Sequence, residues 1–187
     1  MPETWFTSDL HLGHEKVAAL RGFDSPTDHD VTVMKNWRKL ISEDDIVYVL
    51  GDISSGGAQA TRHALTLLSC LPGRKRLIAG NHDPIHPMYR QAHKWVEDFD
   101  YVFEQVTPFQ RIRIDGHDVM LSHFPYILDR HEARYMQYRL RDEGLPLIHG
   151  HLHVPERLTS TREVHIGLDA WNLRPVRAHD VARLLEA

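Results

Sequence analysis

One pattern constrains this sequence more than any other: five times, a short apolar run breaks off abruptly into a carboxylate, an amide or an imidazole. The central instance is Leu77-Ile78-Ala79, which stops at Gly80 and delivers Asn81, His82 and Asp83. Trp5 and Phe6 lead in the same way to Asp9 and His11, and the run over residues 46–50 leads to Gly51 and Asp52. The run over residues 119–121 leads to Ser122 and His123, and Leu147-Ile148 leads to His149, Gly150, His151 and His153. An apolar run ended by glycine and polar groups reads as a buried strand that presents side chains at its carboxyl end. Five such ends describe one polar floor on which hard and borderline metal ligands converge.

The totals bound what can be built around that floor. At 187 residues the chain falls in the size range of one domain, expected to span residues 1–187. Its 42% hydrophobic and 26% charged residues suit a soluble globular chain rather than a disordered one. A formal charge of −4 supplies no broad basic field for long nucleic acid. One cysteine, Cys70, cannot form an internal disulfide, which points to a reducing, cytoplasmic compartment. Neither a signal segment nor an apolar run of membrane-spanning length is read, so no membrane partner is expected. The unusual total is 15 histidines, several of them at strand ends.

Between the strand ends the periodicity changes to that of helices. One is expected over residues 14–20, opened by His14. A second runs from Ser25-Pro26-Thr27 to about Ile41, with Val31, Met34, Trp37, Leu40 and Ile41 inward. A third covers residues 58–71 with Ala64, Leu65, Leu68 and Leu71 inward, and Pro72-Gly73 stops it. Cys70 reads as a small core residue and Arg74, Lys75 and Arg76 as a solvated basic turn. A fourth helix is expected after Pro84 and Pro87, burying Met88, Ala92, Trp95 and Phe99. Asp115-Gly116 reads as the turn of a hairpin, and this change to antiparallel pairing implies two sheets.

Residues 126–144 place Arg130, Arg134, Arg139 and Arg141 among Tyr135, Met136, Tyr138 and Leu140; they read either as a cap or side wall or as a solvated amphipathic helix. A strand over residues 163–167 and a helix from about Ala178 end the series. His29, His63, His86, His93, His117, His131 and His179 match no motif and are expected at the surface. His149 reads as structural, Asp83 as a loop cap or a support for His82, and His165 as outside the pocket.

In order, the strand ends are Asp9-x-His11, Gly51-Asp52, Gly80-Asn81-His82-Asp83, Ser122-His123 and Gly150-His151-x-His153. Over residues 7–153 this series resembles the calcineurin-like metallophosphoesterase superfamily. Gly167-Leu168-Asp169-Ala170-Trp171 and Arg174-Pro175-Val176 resemble the end of its small bacterial and phage members. The resemblance implies an α/β fold, a four-layer αββα sandwich of two mixed β-sheets flanked by helices. It implies two divalent metal ions, one held by Asp9, His11, Asp52 and His153, the other by Asp52, Asn81, His123 and His151, with Asp52 shared. It makes His82 the general acid that protonates the leaving oxygen, a role worth about 10²–10⁴ in rate. Two cations about 3.5–4 Å apart lower the pKa of a shared water and take up charge on a phosphoryl oxygen, so a metal-bridged hydroxide can attack phosphorus. The mixed donors suit manganese first, with iron or zinc as alternatives.

After Asp52 the chain reads Ile53-Ser54-Ser55-Gly56-Gly57, not the Asp-Arg-Gly continuation of the protein Ser/Thr phosphatase branch, and the phosphate-clamping arginines of that branch find no match. A dianionic monoester gains more from such clamps than a singly charged diester. The expectation is a phosphodiesterase for small substrates of the cyclic-nucleotide type, monomeric or homodimeric, with Arg21, Arg134 or Arg139 as substrate contacts. The competing readings are a nuclease or nucleic-acid end-processing enzyme, a phosphomonoesterase and a non-catalytic protein-binding scaffold. A scaffold would be expected to have lost ligands, and here every position is filled.

Overall fold

The computed structural model of the chain describes residues 2–126 and 134–186; the expectations for Arg130 and His131 fall outside them. The apolar runs form strands in two five-stranded mixed sheets. In the first, β1 (Thr4–Thr7), β2 (Ile46–Val49), β3 (Arg74–Ile78) and β4 (Gln105–Thr107) run parallel, and β10 (Val176–Arg177) lies antiparallel beside β1. The second contains β5 (Phe109–Ile114), β6 (His117–Ser122), β7 (Leu147–His149), β8 (Leu158–Ser160) and β9 (Glu163–His165), in the order β5-β6-β7-β9-β8. Its inner strands β6, β7 and β9 are parallel and its edges antiparallel. The β5–β6 hairpin turns at Asp115 and Gly116, both with positive φ (45° and 89°), as a two-residue turn of this handedness requires.

Strand alternation explains why the first sheet is apolar throughout. Trp5, Val47, Val49 and Leu77 face α2 (Pro26–Leu40), α3 (Ala58–Ser69) and α4 (Val96–Asp100), where Val33, Trp37, Ala64, Leu65, Leu68 and Phe99 meet them. Phe6, Tyr48, Leu50 and Ile78 point the other way, into Val119, Leu121, Ile148 and Val164 of the second sheet and Val181 of α5 (Ala178–Leu185). Strands covered on both faces lose the polar half of their pattern. Because β1, β2 and β3 are parallel, their carboxyl ends share one edge, and β6 and β7 bring theirs to the same place. The α/β architecture of two mixed sheets flanked by helices is as expected.

Several local expectations are corrected. In α2 the inward row is His29, Val33, Trp37 and Ile41 at i+4 spacing, and Val31 is 59% exposed. His29 is buried there because Asp30 and Arg21 satisfy both its ring nitrogens. His86, also expected outside, is buried, and burial pushes it down to about 4. Cys70 is exposed at the end of α3, since Leu65, Leu68 and Leu71 take the inward face. Lys75 lies within β3, buried, its ammonium donating to Leu71 O and Gly73 O at 2.6 and 2.9 Å. The helix expected after Pro84 begins only at Ala92, as a 3₁₀ turn leading into α4. Asp83 and His86 each precede a proline, which keeps them out of helical conformation. Strands β8 and β10 are too short to leave a periodic signal.

Trp37 is fully buried, with its Nε1–H donating to Pro72 O at 2.9 Å. Trp37→Ala should cost about 3–5 kcal/mol, whereas Val31→Ala should stay within about 0.5 kcal/mol. Urea unfolding of the two variants checks which row of α2 faces the core.

Candidate metal centre

Asp9 and His11 leave the end of β1, Asp52 that of β2, Asn81 that of β3, His123 that of β6, and His151 and His153 that of β7. The turns after β1 and β2 continue side by side: Asp9 N–H donates to Gly51 O at 3.1 Å, His11 N–H to Asp52 O at 3.0 Å and Leu12 N–H to Ile53 O at 2.9 Å. From the second sheet, His151 N–H reaches both Asp9 carboxylate oxygens, at 3.2 and 3.0 Å. Asp9, His11, Asp52, His151 and His153 all have φ between 46° and 74°. Left-handed backbone is uncommon outside glycine, and when it clusters it marks places where function has overruled local preference. Gly51 sits at a close approach, where a Cβ would stand 2.5 Å from Gly80 N and 2.7 Å from His123 Nδ1.

The hydrogen bonds at the outer side of each ring fix what its inner side offers. His11 Nδ1 lies 3.0 Å from Ser54 O, His123 Nδ1 2.7 Å from Leu50 O, His82 Nδ1 3.1 Å from Ser55 O and His153 Nδ1 3.1 Å from Asp169 Oδ2. Each of those oxygens only accepts, so each Nδ1 carries the hydrogen and each Nε2 presents a lone pair. Those lone pairs face other acceptors. His11 Nε2 and His153 Nε2 are 3.1 Å apart, and His123 Nε2 is 3.1 Å from Asn81 Oδ1. Asp52 Oδ2 lies between the two sides, 3.8 Å from His11 Nε2 and 3.5 Å from His123 Nε2. Acceptors held at hydrogen-bond distance from one another need positive charge among them, and an imidazole anchored through Nδ1 is the usual form of a metal ligand.

Among the described residues, two groups of side chains could hold a metal ion: Asp9, His11 and His153, and Asp9, Asp52 and His123, with the ligand atoms of each group within 4.8 Å of one another. Asp9, expected to serve one ion, is the member common to both groups. The calcineurin-like phosphoesterase profile matches residues 3–155. The chain belongs to that family. It is 50% identical over 183 residues to the gene 66 protein of Mycobacterium phage L5, covering 91% of this chain and 88% of that one. The corresponding protein of Mycobacterium phage D29 is 48% identical over 181 residues, covering 92% and 90%. A solved structure of an Aquifex aeolicus protein of unknown function superposes with a TM-score of 0.74 at 23% identity, over 98% of this chain and all of that one. No described helix is long and apolar enough to cross a membrane.

In this phosphoesterase, burial tends to raise every carboxyl at the site, and the three buried acids respond differently. Around Asp9 the imidazoles of His153, His123 and His11 outweigh burial and hold the carboxyl well below the usual range. Asp52 is pushed up to about 7 by burial and by the charge of Asp9. Asp83 is pushed up to about 7 by burial and by Asp52, against the pull of its hydrogen bonds. It accepts from Asp52 N–H at 2.9 Å, Ile53 N–H at 3.1 Å and Gly80 N–H at 2.7 Å. It therefore clamps the β2 turn to the β3 turn. Burial also drives His11 well below the ordinary imidazole value, while His153 is raised by Asp169 and Asp9 despite its burial.

The remaining candidates sort by contact. His82 donates its N–H to Asp52 Oδ1 at 2.8 Å, and its half-buried ring stands 5.5 Å from that of His11. His14 opens α1 (Glu15–Leu20), and its ring lies 5.5 Å from that of His11, nearer the site than its role as a helix opener implied. His149 is structural, bonded to Gly150 O and Thr159 Oγ1 at 2.8 Å each. Arg21, expected to touch substrate, is buried and bonded to Asp169 and to the backbone of Asp9. The segment around Asp169 stood out in the sequence but its bonds to Arg21 and His153 did not, being made across the chain, and the depth of His29 was missed because its ring finds Arg21 and Asp30 as partners. The 134–144 stretch forms a 3₁₀ turn at Met136–Tyr138, and Tyr135 stands 5.8 Å from the His151 ring, as a side wall of the site would.

Asp83→Asn keeps the volume but cannot accept three N–H bonds, and should destabilise the metal-free protein by about 1–3 kcal/mol. A carboxyl near 7 when folded and about 3.9 when unfolded contributes most below about pH 4 and loses that contribution as pH rises through about 7. The deficit of the variant should therefore be smaller at pH 8 than at pH 5 in urea titrations; a deficit that widens with pH would contradict the assignment.

Proposed function

We propose that this chain is a dinuclear metal-dependent phosphodiesterase for small organic substrates of the cyclic-nucleotide type. The observation that carries the reading is the set of imidazoles anchored through Nδ1 with their lone pairs turned on buried carboxylates and on one another. That donor set fits two divalent cations, manganese by preference: Asp9, His11, Asp52 and His153 on one side, Asp52, Asn81, His123 and His151 on the other. When bound, such a pair makes a shared water acidic and draws off charge from the phosphoryl oxygen. Asp52, placed between the two sides, is the carboxylate suited to bridge them. His82, its Nδ1–H tied to Ser55 O and its backbone N–H to Asp52, acts as the acid once a second proton sits on Nε2, and gives that proton to the leaving oxygen.

The diester preference is supported by two of the three arginines considered as substrate contacts; the third, Arg134, is exposed beside Tyr135. Arg21 is buried in other bonds, and Arg139 donates to Pro125 O at 2.9 Å with its guanidinium 5.7 Å from the Phe124 ring centroid. Tyr135, half-buried, packs at a 30° tilt against Phe124, centroids 5.2 Å apart, beside His151, a flank suited to a planar base or aryl group. The formal charge of −4 favours small substrates over nucleic acid.

A panel of cyclic nucleotides, bis-p-nitrophenyl phosphate, a phosphomonoester and single-stranded DNA, each with manganese, tests the reading. Diesters should be hydrolysed fastest; preference for the monoester or for DNA would replace this substrate class with one of its competitors, and no turnover at all would favour a scaffold. His82→Ala should keep its metal and lose about 10²–10⁴ in rate on diesters with poor leaving groups, less on the nitrophenyl ester. Asp52→Asn should lose metal and activity together, which metal analysis of the purified variant checks.

A further inference from the structure

Arg21 ends α1, and its side chain is 4% exposed. All five of its N–H donors are occupied. Nε and Nη2 grip Asp169 at 2.9 and 2.8 Å, Nη2 also donates to Asp9 O at 2.8 Å, and Nη1 reaches Leu10 O at 3.4 Å and His29 Nε2 at 3.0 Å. Behind it, His29 Nδ1–H donates to Asp30 Oδ1 at 2.8 Å, and Asp30 Oδ2 accepts from Gly13 N–H at 2.8 Å. In front of it, Asp169 Oδ2 is the atom that accepts from His153 Nδ1 at 3.1 Å. One guanidinium thus fixes the backbone of Asp9, which is held at φ 57°, and through one carboxylate the ring of His153. His123, on the other side of Asp52, has no share in this network; its Nδ1 is held by Leu50 O.

We infer that Arg21 and Asp169 are positioning residues: their clamp orients the His153 ring and holds the backbone of Asp9, so it acts chiefly on the Asp9–His11–His153 side of the centre, and neither touches substrate. The inference rests on the cation-holding reading above and adds that the His153 and His123 rings are braced by different partners, with Asp9 common to the two sides. A lysine at position 21 offers one compact ammonium and cannot fork across both Asp169 oxygens and Asp9 O. An asparagine at position 169 keeps the shape and removes the charge that orients and strengthens His153 as a donor.

Metal-free wild type, Asp169→Asn and Arg21→Lys are titrated with Mn²⁺ by calorimetry, and bound manganese is counted after gel filtration. Wild type should take two ions. Each variant should bind one ion about 10- to 100-fold more weakly and lose clearly less affinity for the other, while the far-UV spectrum of the metal-free protein is retained. If Arg21→Lys does not fold, Asp169→Asn decides. Two ions bound with wild-type affinity in the variants would overturn the clamp and leave the metal centre standing. Equal weakening of both ions would also overturn it, as the mark of a general structural role. A wild type that takes up no manganese would remove the cation-holding reading and the clamp with it.

Discussion

The centre of this molecule is a set of lone pairs that face one another across about three ångströms, and everything around them exists to keep them there. His11 Nε2 and His153 Nε2, or His123 Nε2 and Asn81 Oδ1, repel as neutral acceptors at 3.1 Å. Their outer nitrogens cannot turn to relieve this, because each ring is held by an oxygen on its far side. A proton on His153, whose pKa Asp169 and Asp9 raise against burial, can occupy one such gap. A divalent cation answers the same repulsion with more charge and offsets the buried Asp52 as well.

Holding acceptors in that arrangement costs conformational energy, and the fold supplies the rigidity to sustain it. Five of the residues concerned adopt left-handed backbone, each costing on the order of 1–3 kcal/mol in isolation. Directly beneath them lie strands buried on both faces, with Val49 and Leu77 on the helical side and Leu50 and Ile78 on the side of the second sheet. Asp83 stitches the β2 and β3 turns together, and Gly51 lets β2, β3 and His123 approach more closely than any side chain would permit. Strain at the edge of the sheets is thus supported by apolar packing under it.

The second sheet contributes more than ligands. His151 binds Asp9 through its backbone N–H before its side chain is considered, so the two sheets are joined at the site itself. The exposed rim is formed by His153, His82 and His151, while Asp9, Asp52 and His123 form the buried base. That gradient suits a centre whose charged groups are locked below, with the half-buried His82 ring nearer the mouth.

Much of this was legible in the residues. An apolar run that ends in glycine and a donor side chain folds as a buried strand with its ligand at the edge, because alternation and turn chemistry are local; that gave the two sheets, the Asp115-Gly116 hairpin and the meeting of Asp9, His11, Asp52, Asn81, His123, His151 and His153. Local pattern failed where hydrogen-bond partners and competing apolar rows, rather than hydrophobicity, decide burial. Val31 was placed inward and His29 outward because hydrophobicity ranks them so, yet Arg21 and Asp30 satisfy both nitrogens of His29 and make its burial tolerable. Lys75 and Cys70 were misjudged in the same way, one rescued by two carbonyls and the other turned out by a better apolar row. By itself the sequence determined which groups reach the centre. Only the tertiary structure decided how they are aimed, that Asp9 stands in both ligand groups and that Arg21 is bonded to Asp169 beside them, because hydrogen-bond partners more than a hundred residues apart are chosen by the fold and not by any neighbour in the chain.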